Sequence, residues 1–155
     1  LQSTWPFLLD GPKQYALHWE FNGSLYVILN TLLGGAGDYA ARFVAAVVGC
    51  ATLAWIAWRK PPIERAACSG LFAALLLSPV VYPWYVLWLI PFLCLIPHPG
   101  ILIWNATVVL SYSVWSRYRA TALWELSPII QTLEYAPVYA GLVWSAWPVR
   151  WRNRK

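Results

Sequence analysis

The segment His18-Trp19-Glu20-Phe21-Asn22-Gly23-Ser24-Leu25-Tyr26 sets an imidazole, a carboxylate, an amide and hydroxyls beside aromatic rings. That mixture suits a sugar: ring faces such as Trp19 stack on C–H faces, while His18, Glu20 and Asn22 hydrogen-bond the hydroxyls. The plainer alternative is a helix start, with Asn22 or Ser24 capping the apolar run Leu25 to Leu33. A second segment, Leu77-Ser78-Pro79-Val80-Val81-Tyr82-Pro83-Trp84-Tyr85, carries two prolines that leave carbonyls without helical donors. Tyr82, Trp84 and Tyr85 there face either a cavity or the lipid headgroups as an aromatic belt. Glu134 stands near the start of an apolar run, and Trp124-Glu125 precedes it. Carboxylates in or near a membrane are costly and often functional, interfacial exposure being the alternative. Finally, Arg42, Arg117 and Arg119 offer guanidinium groups that pair bidentately with a phosphate or pyrophosphate headgroup, unless they only snorkel to the interface.

The elements that must position these groups are apolar. The chain is 60% hydrophobic and 11% charged, with a mean hydropathy of +0.53 and 12 Trp. A soluble domain is about 45–50% apolar and about 25% charged. Six acids and eleven bases cannot solvate the surface of 155 residues, so lipid is the expected solvent. The opening Leu1-Gln2-Ser3-Thr4-Trp5-Pro6 lacks the basic and apolar regions of a signal peptide, and no Met occurs. The expectation is the C-terminal part of a longer membrane protein. Cys50, Cys68 and Cys94 lie in apolar stretches with no metal-ligand spacing, so they read as small buried apolar residues.

The expected fold is all-α: a polytopic transmembrane bundle with short interfacial or re-entrant helices at the N-terminus. Residues 1–37 are turn-rich and read as that interfacial segment on the non-cytoplasmic side. Residues 38–149 read as about five hydrophobic helices, and 150–155 as a basic cytoplasmic tail. The clearest span, Tyr39 to Trp58, covers roughly 30 Å at about 1.5 Å per residue, and Arg59-Lys60-Pro61-Pro62 stops it. Ile63 to Val81, Trp84 to Ile96, Ile101 to Trp115 and Pro128 to Pro148 follow. Alternating sides puts Arg59, Lys60, Arg65, His98 and the tail on one face, with Arg117 and Arg119 opposite. The basic excess marks the first face as cytoplasmic, in a multi-pass protein of the cell membrane.

Taken together, His18 to Tyr26, the run LLLSPVVYPWYVLWLIPFL from Leu75 to Leu93, and LEYAPVYAGL from Leu133 to Leu142 resemble a known family. It is the family 87 (mannosyltransferase-like) bacterial membrane glycosyltransferases of the GT-C superfamily. The likeness covers roughly residues 15 to 145, and its most specific part runs from Ser78 to Pro91. Relatives usually carry a basic residue before Phe-Asn and a His before Pro-Trp-Tyr; Glu20 and Tyr82 hold those positions here. The resemblance implies transfer of a mannose-like hexose from a polyprenyl-phosphate donor to a glycan or lipid acceptor on the non-cytoplasmic face. It puts the catalytic acidic residue in an external loop N-terminal to this sequence, so the chain is expected to be inactive alone. His18, Trp19, Glu20, Asn22, Tyr82, Trp84, Tyr85 and Glu134 would bind substrate, and Arg42, Arg117 and Arg119 the lipid phosphate. No metal or cofactor site is expected in this part, while a divalent cation is compatible with the full-length enzyme. Membrane lipids are expected partners and nucleic acid is not. The competing readings are a lipid-linked-sugar flippase or transporter, and a non-catalytic membrane assembly subunit.

Overall fold

The computed structural model describes Gly11, residues 19–33 and residues 38–146. His18, most of the expected interfacial segment and the basic tail lie outside the described residues. The chain is mostly helical, with no strand among those residues.

Helix α1 is Leu25–Leu32, α2 is Asp38–Arg59 and α3 is Ile63–Leu77. The run of Ala, Val and Leu gives α2 its length, and Pro61 and Pro62 prevent its continuation. Lys60 closes it in the left-handed region, at φ 48°. Helix α3 stops at Ser78-Pro79, the expected break, and is therefore shorter than the apolar run to Val81. Helix α4, Pro83–Leu93, starts on a proline and tightens to a 3-10 turn at Leu87–Leu89 just before Pro91. Helix α5, Pro99–Thr107, runs through a 3-10 stretch, Val108–Ser113, into α6, Val114–Thr121. The run expected to end at Trp115 thus continues past Arg117 and Arg119. Ala122 ends it with φ 57°, donating its N–H to the Tyr118 carbonyl at 2.8 Å. Helix α7 is Pro128–Ala146, with Pro137 inside.

The core forms where α3, α4, α5 and α7 meet, around Leu76, Val86, Leu89, Trp104, Val108 and Val138. Helices α5 and α7 are antiparallel and close. A Cβ on Gly141 would come within 2.9 Å of the Ile103 side chain and 3.1 Å of the Gly100 main chain, so glycine permits this close crossing without a shift of the helices. Helix α2 contributes little to the core: Phe43, Val47, Leu53, Trp55 and Trp58 are all exposed. Among the described residues it is the one helix long and apolar enough to cross a membrane.

Candidate functional site

Two of the singled-out segments meet through their main chains. Phe21 N–H donates to the Pro79 carbonyl at 3.0 Å, and Val81 N–H donates to the Phe21 carbonyl at 2.8 Å. The Pro79 carbonyl is one that the proline break withdrew from helical bonding, and the 19–24 segment supplies its donor. Gly23 makes the approach feasible, since a Cβ there would lie 3.2 Å from the Ser78 and Pro79 carbonyl oxygens. Asn22 takes φ 53°, a left-handed conformation that asparagine tolerates.

This backbone turns the Asn22 side chain inward. Its Nδ2 donates to both oxygens of Glu134, at 3.0 and 3.1 Å. Trp104 Nε1 donates to the same carboxylate at 3.1 Å, and Tyr135 Oη donates to the Asn22 carbonyl at 2.7 Å. Glu134 and Trp104 are completely buried and Asn22 nearly so. A buried carboxylate is stable only when donors surround it, and this cluster supplies them. Ser24 precedes α1 but makes no capping bond; its hydroxyl pairs with Tyr139 Oη instead. Neither Asn22 nor Ser24 therefore acts as the helix cap that residue type alone allowed.

The ring systems lie on the other side of the turn. Phe21 stacks on Tyr82 at 4.9 Å between centroids, and Tyr82 stacks on Trp84 at 4.5 Å and 8° between planes. Trp124 joins from the opposite end, 5.9 Å from Phe21. Tyr85 packs edge-on against Tyr82. Trp84 is half exposed, and burial pushes the Tyr82 phenol above its ordinary pKa.

A cleft of about 390 Å³ opens between the 20–23 turn, Pro79 and the segment from Arg117 to Gln131. Phe21 and Trp124 form apolar walls, while Glu20, Asn22, Arg117, Glu125 and Gln131 bring polar groups to it. Arg117 and Glu125 form an exposed ion pair at 3.8 Å. Tyr82 and Trp84 do not line this cleft; they extend its aromatic wall outward through Phe21. Trp19 is exposed, and its carbonyl accepts from Arg42 at 3.2 Å. Arg42 also pairs with Glu20 at 3.3 Å and lies over the Tyr26 ring, whose hydroxyl donates to Glu20. Arg119 is exposed on α6. Glu134 does not line the cleft, but its hydrogen-bond partner Asn22 does.

No family model, curated protein or solved structure matches the chain. Among the described residues no group of three His, Cys, Asp or Glu is positioned to hold a metal ion. Cys68 is buried, whereas Cys50 and Cys94 are exposed, contrary to the reading of all three as interior. Trp104 and Gln131 were not legible as site residues. The signal for Trp104 was its indole N–H in an apolar run, which needs an acceptor; for Gln131 it was a lone amide one turn before Glu134.

Proposed function

We propose that this chain is part of a polytopic membrane glycosyltransferase, and that the cleft beside Asn22 holds a sugar ring of the substrate. The observation that carries this reading is the cleft's make-up: aromatic walls from Phe21 and Trp124, with carboxylate, amide and guanidinium groups around them. Its volume, about 390 Å³, suits a monosaccharide with room for a linkage, near the lower end of ligand sites. Aromatic faces take the C–H side of a hexose, and Glu20, Glu125 and Gln131 are suited to its hydroxyls. Arg117 at the rim is suited to the phosphate of a polyprenyl-phosphate donor. The resemblance of the Ser78 to Pro91 pattern to the family 87 enzymes supports the same reaction. In it, a general base removes the proton of the acceptor hydroxyl, the acceptor oxygen attacks the anomeric carbon, and polyprenyl phosphate leaves. The base is not assigned to this chain: Glu134 is held by Asn22 and Trp104, and the resemblance puts the catalytic acidic residue N-terminal to this sequence.

The test is transfer of radiolabelled hexose from a polyprenyl-phosphate donor, in membranes carrying the full-length protein. Gln131→Ala and Arg117→Ala should each lower transfer about tenfold or more with the protein still folded, because both sit at the cleft rather than in the core. Full activity in both variants would remove the cleft from the reaction. One observation favours a second reading, a non-catalytic assembly subunit. Glu134 is fully buried and serves to anchor the 19–24 turn, as a purely structural latch would.

A further inference from the structure

The two ends of the α2–α3 hairpin treat their bases differently. At the Arg42 end the guanidinium is matched within the protein, by Glu20 and by the Tyr26 ring. At the other end Arg59, Lys60 and Arg65 are all exposed, and among the described residues no ion pair joins any of them to a carboxylate. Glu64 is the one acid in that turn. The flanks are apolar and outward-facing: Trp58 is 76% and Ile63 85% exposed, and Trp55 is half exposed. Arg59 lies over the Trp55 ring, 5.2 Å from its centroid, which holds its charge at the level of the indole.

We infer that this end of the hairpin is a headgroup site selective for anionic phospholipid. The inference rests on reading α2 as membrane-spanning. A partner must match both the cationic turn and the exposed rings and Ile63 beside it. Nucleic acid or an acidic peptide would satisfy the charge and leave Trp58 and Ile63 in water. An anionic leaflet satisfies both, with phosphates on the guanidinium groups and acyl chains against Trp58 and Ile63. Pro61 and Pro62 keep the turn short, so the three bases are gathered within one headgroup neighbourhood. Arg59 and Arg65 can each take a phosphate bidentately, which zwitterionic lipid permits only against its own cation.

The experiment is lipid selectivity of the full chain in phosphatidylcholine vesicles containing spin-labelled phosphatidylglycerol or spin-labelled phosphatidylcholine. The motionally restricted lipid should favour phosphatidylglycerol by about threefold or more, and the preference should shrink as salt is raised. Arg59→Gln/Lys60→Gln/Arg65→Gln should bring the ratio close to parity. Parity in the parent chain, or a preference that survives the triple substitution, overturns the site. Release of the protein from the same vesicles by alkaline carbonate would instead sink the spanning assignment on which the inference rests.

Discussion

Asn22 and Glu134 are 112 positions apart and share two hydrogen bonds. Each was noticeable by type, an amide in a turn and a carboxylate in an apolar run. Their pairing was not legible, because nothing local to either residue names a partner so distant. Removing the carboxylate leaves the Asn22 amide and the Trp104 N–H buried without an acceptor. Glu134→Ala should therefore cost about 2–4 kcal/mol, measured as thermal unfolding in mild detergent. With Asn22→Ala the two losses should fail to add by about 1–3 kcal/mol. Simple additivity would show that the two residues act separately. His98 gives a pH-dependent counterpart outside the helices. Burial lowers its pKa from 6.5. Its Nδ1 is buried with no partner, and Ser145 Oγ is 3.3 Å from Nε2, so a second N–H would have no acceptor. The unfolded chain then binds this proton first as pH falls. Stability contributed by His98 is full above pH 6.5 and is lost as pH drops through that value towards the lowered folded pKa. His98→Gln should flatten that part of the stability–pH curve; an unchanged slope would assign it to another group.

At the scale of elements, proline made most boundaries readable. Pro61-Pro62, Ser78-Pro79 and Pro128 end or begin helices as the sequence suggested. The 3-10 stretches at Leu87–Leu89 and Val108–Ser113 were not readable, since an apolar run looks alike in either helix type. Nor did Arg117 and Arg119 end their helix, because a basic residue anchors a helix at an interface without breaking its hydrogen bonds. The α5–α7 crossing depends on side-chain size more than on composition. Gly141→Leu should drive a Cβ into Ile103 and the Gly100 backbone, and the backbone cannot yield cheaply. A loss of about 1–3 kcal/mol is expected in detergent melts. Gly49→Ala is the matched control: its Cβ would meet only Leu77 Cδ1 at 3.7 Å, an ordinary contact. It should be neutral or raise stability by up to about 1 kcal/mol, since alanine is the better helix former. Equal damage from both would mean that crossing distance does not govern the packing.

For the whole molecule the question is what solvent covers α2. Only 17% of its most apolar window is buried inside the protein, so the rest must face lipid or remain exposed to water. Composition pointed to lipid, and Tyr39 to Trp58 already read as the clearest span from the sequence. Among the described residues α2 is the one helix long and apolar enough to cross a membrane, and it exposes Phe43, Val47, Leu53 and Trp58. Cys50 gives a direct reading, since it lies near the middle of Asp38–Arg59 and is exposed on the protein surface. Thiol alkylation proceeds through the thiolate, which forms in water and not in hydrocarbon. In sealed vesicles, a Cys68→Ser/Cys94→Ser chain should resist a charged maleimide added on either side. It should label fully once detergent strips the lipid and the chain is unfolded. In water the same exposed thiol would react at once, so prompt labelling in vesicles would mean that α2 lies outside the bilayer. Protection of Cys50 in vesicles, combined with reaction after denaturation, would locate the midpoint of α2 in the hydrocarbon layer. Arg42 and Arg59, some 25 Å apart along α2 at about 1.5 Å per residue, would then stand towards the two interfaces.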